Sequence, residues 1–385
     1  MEVMTRVRTE FLPYALPDIG EEEIAEVVQT LRSGWITTGP KTKEFERRMG
    51  DYLGVKHAIA VNSCTAALHV ALAAIGVGRG DEVITSPLTF CATANAVVHL
   101  GGRPVFADIG DDLNIDPVEI ERHITSRTKA IIPVHHSGQP CRMDEILACA
   151  RAYNLPIIED AAHAIGAVYH GRMVGTIGDV TAFSFYATKN MTTAEGGMIA
   201  TDNDDLAEQM RLLSLHGISK DAWNRYSEKG KWYYEIENAG WKYNMTDIQA
   251  ALGIPQIKKL DRFIEIRRRH ADLYNNSLKG INGVITPFED PRAKHIYHLY
   301  PLLLDEYNRD RFIENMNDNG IGCSVHFIPL HLHPYYRSMG FKKGDYPNAE
   351  WVYEREVSLP LYPKMTIEDV NYVINGVEGL LEEQG

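Results

Sequence analysis

Short unbroken apolar runs alternate with longer amphipathic stretches along most of the 385-residue chain. His57-Ala-Ile-Ala-Val61, Glu82-Val-Ile-Thr85, Pro104-Val-Phe-Ala107, Ala130-Ile-Ile-Pro-Val134 and Pro156-Ile-Ile-Glu-Asp160 are of strand length. Residues 21–28, 43–53, 66–74, 90–100 and 143–153 fall between or before them with helical spacing. Strands that are apolar throughout are buried on both faces, so the pattern predicts an α/β fold with a mostly parallel sheet. Ligands of such sheets gather at the carboxyl ends of the strands. Residues 246–278 predict a long helix with Ile257, Leu260 and Ile264 on one face. Gly253 and Pro255 are expected to kink or interrupt it. The boundary is placed there: 1–255 form an N-terminal segment and large domain, 256–385 a smaller C-terminal α/β domain. The basic run Arg267-Arg-Arg-His270 reads as a solvated helix face.

Candidate chemistry sits at the predicted strand ends. Lys189 follows an apolar run, Val180-Thr-Ala-Phe-Ser-Phe-Tyr186, and precedes the glycine turn Glu195-Gly-Gly197. Burial penalises an ammonium group and lowers its pKa, which frees a neutral amine for a Schiff base with a carbonyl such as that of pyridoxal phosphate. The competing reading is a lysine pointing into water. Asp160 ends another apolar run. A protonated pyridine nitrogen would be one partner for it; a helix N-cap role, with Ala161-Ala162 opening a helix-like run, is the other. His163 either orients a cofactor or packs in the core. Ser63 and Thr65 stand between a strand and a strong helix, where they cap the helix or cradle a phosphate. Ser33-Gly-Trp-Ile-Thr-Thr-Gly-Pro40 is a loop rich in turn residues and hydroxyls, suited to a polar ligand.

Composition narrows the classes. A formal net charge of −13, from 39 basic and 52 acidic residues, argues against a broad nucleic-acid surface. The five cysteines are scattered with no C-x-x-C pair, which disfavours a disulfide framework and fits a reducing cytoplasm. No signal-peptide core and no membrane-length apolar run is seen. His326, His331 and His333 have no carboxylate or cysteine pattern beside them, so no metal site is expected.

Taken together, residues 33–40, Asn62-Ser-Cys-Thr-Ala66, Glu159-Asp-Ala-Ala-His163, Phe183-Ser-Phe-Tyr-Ala-Thr-Lys-Asn190, Ala194-Glu-Gly-Gly197 and Trp241-Lys-Tyr-Asn-Met-Thr-Asp247 resemble the DegT-type sugar aminotransferases. Order and spacing match over nearly the whole chain. The nearest likeness is to enzymes that aminate C4 of UDP-linked 4-keto sugars, such as those making UDP-4-amino-4-deoxy-L-arabinose. The resemblance implies the fold of aspartate aminotransferase, fold type I of pyridoxal 5'-phosphate enzymes, with a mostly parallel seven-stranded sheet. It implies that Lys189 links the cofactor and carries the proton, and that Asp160 pairs with the ring nitrogen. Ser63, Thr65, Ala66 and Ser184 would hold the phosphate. Phe90 would stack on the ring, with His163 beside it. Asn244 would reach the phosphate of the other subunit of a homodimer. Trp35, Thr37, Thr38, Gly39, Tyr186 and His326 would face the sugar. Tyr186 replaces the family's usual His, and Ala194 replaces a frequent Gly. A ping-pong transfer from L-glutamate, leaving 2-oxoglutarate, follows from the same likeness. The rivals are C3 amination of a dTDP-linked 3-keto-6-deoxy sugar, a cofactor-binding sensor protein, and a 3-dehydratase. The dehydratases carry His in place of the lysine, so Lys189 argues against the last.

Overall fold

The computed structural model describes residues 10–218 and 233–384. Seven strands build the main sheet: β1 (His57–Val61), β2 (Glu82–Thr85), β3 (Arg103–Phe106), β4 (Thr128–Ile132), β5 (Ile158–Asp160), β6 (Val180–Ser184) and β7 (Gly197–Thr201). Their order is β3-β2-β4-β5-β6-β7-β1, with β4 and β5 joined through the parallel bridges Ile131–Ile157 and Val134–Asp160. Only β7 runs against its neighbours, which leaves the other six parallel.

The apolar runs are continuous because both faces are covered. Neighbouring residues of one strand point to opposite faces, and they enter different cores. Ile131, Phe183 and Met198 pack with Phe45 and Met49 on one side. Ile132, Ala182 and Ile199 pack with Leu68 and Val70 on the other. The helix Cys64–Ala74 lies in the second core and is buried along nearly its whole length.

Three expectations give way. No helix follows Asp160: residues 161–167 fold as turns closed by Ala164 N to Ala161 O and Ala167 N to Ala164 O. The chain reverses at Gly166, whose φ of 87° ends any helical run. The helix Asp247–Leu278 is not interrupted at Gly253 or Pro255. Gly253 serves close packing instead, since a Cβ there would lie 2.6 Å from the Phe45 ring. One hydrogen bond lost at Pro255 is a small fraction of a 32-residue helix with an extensive buried face. Nor is the basic run a solvated face. Arg267 and His270, three residues apart and so on one side of the helix, are both buried. The Arg267 guanidinium donates to the carbonyls of His298 at 3.2 Å and Leu361 at 2.6 Å.

Leu260 and Ile264 bind the long helix to the first core, while Ala271, Tyr274 and Leu278 bind it to a further one. That core lies under an antiparallel sheet of Val284–Ile285, Tyr300–Leu304 and Glu356–Leu359, covered by helices Arg309–Asp318 and Ile367–Gln384.

Candidate active site

Because the six strands are parallel, their carboxyl ends deliver side chains to one edge, where a cavity of about 480 Å³ opens. Ser63 and Thr65 reach it from the segment after β1, Phe90 from that after β2, Asp160 and His163 from β5, and Ser184, Tyr186 and Lys189 from β6. His326 completes the predicted set in this cavity.

Lys189 lies in the turn after β6, its N–H bonded to Tyr186 O at 2.9 Å. Its side chain lines the cavity and is desolvated there, so the reading of a lysine merely pointing into water gives way. Desolvation brings its pKa down to about 8, although Cys64 and Asp160 pull it upward. A useful fraction of neutral amine therefore exists near neutral pH.

Asp160 is 5% exposed. Its Oδ2 accepts from Thr93 Oγ1 at 2.8 Å and its Oδ1 from Ala162 N at 3.2 Å. Burial raises its pKa, and these two donors only partly offset that. Two donors leave acceptor capacity on the carboxylate for a cationic or N–H group in the cavity.

Ser63 caps the helix Cys64–Ala74, its Oγ accepting from Ala66 N at 3.1 Å. The amides of Cys64 and Thr65 have no acceptor within the helix, as at any helix start, and they add to the positive end of its dipole. Ala66 does not line the cavity, and its amide is taken up by Ser63. Gly197, which opens β7, lies against this turn so closely that a Cβ would sit 2.4 Å from the Ser63 carbonyl carbon.

The cavity wall is aromatic. Phe90 is 60% exposed and lies 6.2 Å from Phe327. The His163 ring stacks near Phe327 at 6.0 Å and lies 4.4 Å from His298. Burial drives His163 well below the usual histidine range, with Lys189 adding to the effect, so the ring is neutral. Its Nδ1 is buried without a hydrogen-bond partner among the described residues.

The remaining predicted residues gather elsewhere. Trp35 Nε1 donates to Thr38 O at 3.1 Å, and Asn244 Nδ2 donates to Thr38 Oγ1 at 2.6 Å. Thr37 O accepts from Asp247 N, and Gly39 N donates to Asp247 Oδ1 at 2.7 Å. None of Trp35, Thr37, Thr38, Gly39 or Asn244 lines the cavity of its own chain. Conversely, Thr93, His298 and Phe327 belong to the cavity and were not foreseen. Thr93 and Phe327 had a local signal, the first standing one helical turn beyond Phe90 and the second directly after His326. Among the described residues, no group of His, Cys, Asp and Glu is arranged to hold a metal ion, and no helix is long and apolar enough to cross a membrane.

An amine of lowered pKa, an underpaired buried carboxylate, an orphaned imidazole nitrogen and a helix N-terminus around one cavity fit pyridoxal phosphate. Comparison with known proteins agrees. Residues 17–378 match the DegT/DnrJ/EryC1/StrS aminotransferase family. The Bacillus subtilis spore coat polysaccharide biosynthesis protein SpsC is 54% identical, covering 98% of this chain and 99% of its own. Spr1654 of Streptococcus pneumoniae, described as a sugar aminotransferase and solved in PMP and PLP forms, superposes with a TM-score of 0.91. In the PMP form it is 37% identical, over 97% of this chain and 99% of that one. PseC of Helicobacter pylori, an aminotransferase involved in the biosynthesis of pseudoaminic acid, gives a TM-score of 0.91 at 31% identity, over 97% and 100% of the two chains.

The fold and the cavity are those of a pyridoxal-phosphate-dependent aminotransferase of fold type I. The chain belongs to the DegT/DnrJ/EryC1/StrS aminotransferase family.

Proposed function

We propose that this aminotransferase moves the amino group of L-glutamate to C4 of a UDP-linked 4-keto sugar, in the cytoplasm, for a cell-surface glycan. The observation that carries the reading is the meeting of the Lys189 amine and the Asp160 carboxyl in one cavity at the carboxyl edge of the sheet. The sugar and glycan assignments draw support from SpsC, PseC and Spr1654. The choice of C4 and of UDP rests on the sequence resemblance.

In this reading Lys189 Nζ takes up and returns the proton of the reacting carbon, which its lowered pKa permits. Asp160 holds the cofactor's ring nitrogen, and the bound cofactor supplies the electron sink. Ser63, Thr65 and Ser184 would anchor the phosphate, with Ala66 acting only through its amide on Ser63, and Phe90 and His163 would flank the ring. Tyr186 and His326 approach the sugar. Trp35, Thr37, Thr38, Gly39 and Asn244 serve the cavity of a partner subunit, which accounts for their absence from their own and makes the enzyme a homodimer. The division into larger and smaller domains is placed after residue 255, within the long helix.

The test is an absorbance spectrum of the purified protein, first alone and then with glutamate. The visible band of lysine-bound cofactor should give way to the pyridoxamine band. UDP- and dTDP-linked 4-keto and 3-keto sugars are then screened for return of the first band, and the aminated carbon is located by NMR. Amination at C3, or of dTDP sugars alone, would replace the acceptor assignment. A band that ignores glutamate would remove the donor.

A further inference from the structure

His326 lines the cavity, and its ring is held from behind. Its Nδ1 lies 2.9 Å from Ser358 Oγ, which in turn bonds to Glu356 Oε1. Glu356 Oε2 accepts the backbone N–H of His326 at 2.8 Å. Glu356 and Ser358 stand two apart on one strand, so they share a face, and both are buried. Tyr14 stacks on the imidazole with ring centroids 5.4 Å apart. Among the described residues no group bonds to Nε2, which leaves it for whatever occupies the cavity.

We propose that Glu356 and Ser358 are positioning residues for His326, and that this carboxyl–hydroxyl–imidazole chain sets whether Nε2 meets the cavity as a donor or an acceptor.

Two arrangements satisfy the geometry. With Glu356 as a carboxylate, Ser358 Oγ–H donates to Oε1, Nδ1–H donates to Oγ, and Nε2 is a bare acceptor. With Glu356 protonated at Oε1, that proton is donated to Oγ, Oγ–H is donated to Nδ1, and Nε2 carries the ring proton. The bond from His326 N to Oε2 is kept in both. The exchange balances: a proton arriving on Nε2 displaces the Nδ1 proton to Ser358 Oγ, whose own proton passes to Glu356 Oε1. The imidazole is neutral at both ends, and the carboxyl group stores the proton.

Within this chain of groups Glu356 is the one that titrates; across the cavity His163 and His298 are held neutral by burial, and Lys189, itself lowered to about 8, has its amine taken up in the link to the cofactor in the holoenzyme of the proposed function. Burial pushes Glu356 up to about 8, against the pull of Ser358, of the His326 amide and of Arg309 from helix Arg309–Asp318. Burial takes His326 down to about 3 and His136, whose Nε2 bonds to His326 O, down to about 4. Cys323 is pushed up to about 12 and Tyr14 is raised as well, so both stay protonated, and Arg267, which faces Tyr14, stays charged. Below that pH Nε2 is a donor; above it, an acceptor. The assignment concerns the chain's own groups and holds whichever sugar is the acceptor.

Infrared difference spectra of the holoenzyme, taken across the titration of Glu356, should show a carboxylic-acid carbonyl band that vanishes near pH 8 and is absent in Glu356→Gln. Long-range ¹H–¹⁵N spectra of histidine-labelled holoenzyme, with His326 assigned through His326→Gln, should move from Nε2–H to Nδ1–H over the same range. In Glu356→Gln the amide donor mimics the protonated acid, so the ring should stay Nε2–H throughout. Ser358→Ala should keep the carbonyl band and lose the ring's pH response. A single unchanging tautomer in the native protein, or a response that survives in Glu356→Gln, overturns the proposal. If that variant does not fold, a response persisting in Ser358→Ala overturns it alone.

Discussion

Glu159 and Asp160 are consecutive residues on β5, both buried, and they meet opposite fates. Glu159 points away from the cavity into a complete set of donors: His135 Nε2 at 2.9 Å, Gly178 N at 2.8 Å and Thr181 Oγ1 at 2.8 Å. Cys141 N donates to Nδ1 of the same histidine at 3.0 Å, which leaves Nε2 to face Glu159. Burial raises the pKa of Glu159, but its donors outweigh burial and hold it below the usual carboxylate range. Asp160 has Thr93 and one amide, and burial wins. A carboxylate that belongs to the scaffold is finished by the scaffold, whereas one meant for a ligand is left incomplete.

Four substitutions probe that contrast. Lys189→Ala removes the amine both carboxyl groups lack, and transfer from glutamate should fall by about 10⁴-fold; sustained turnover in a stopped assay would remove Lys189 from the chemistry. Asp160→Asn should cost about 10²–10³-fold in turnover while the thermal midpoint holds or rises, because an underpaired buried charge is lost. Glu159→Gln should show the reverse, a loss of about 3 kcal/mol in urea unfolding with turnover per folded molecule retained. Equal patterns in the two variants would dissolve the distinction. Thr93→Val removes one donor from Asp160 and should lower turnover about fivefold, the equivalent of ~1 kcal/mol.

The same contrast sets a pH dependence. The folded pKa of Glu159 lies below its unfolded value. Its contribution to stability is therefore complete above about pH 4.3 and is lost as pH falls through the folded value. The folded pKa of Asp160 lies above its unfolded value, so its ionisation takes stability away as pH rises through that window. Urea midpoints followed from acid to neutral pH should show a shallower acid limb in Glu159→Gln than in the native enzyme.

The sheet was readable because strands buried on both faces must be apolar throughout, and β1, β2 and β5 appear in the sequence almost to the residue. Lys189, Asp160 and Ser63 were readable for a related reason: Asp160 ends such a run, and Ser63 and Lys189 stand in the turns that follow one, so each falls near a strand's carboxyl end. Ala161-Ala162 misled because local helix propensity says nothing of the turn that Gly166 imposes. Gly253 misled because its partner, Phe45, is two hundred residues earlier in the chain. Arg267 looked solvated because the carbonyls that receive it, at His298 and Leu361, are brought to it only by folding. His298 was missed for the same reason, since nothing adjacent to it marks it as part of the cavity, and Phe327 was missed although it stands beside His326.

The cavity draws on Tyr14 near one end of the described chain and on His326, which Glu356 and Ser358 hold from near the other. During synthesis on the ribosome, no length of nascent chain short of residue 358 can present the finished pocket. The finished cavity is thereby reserved for polypeptides translated past residue 358, and a product terminated before it leaves the ribosome with His326 unsupported.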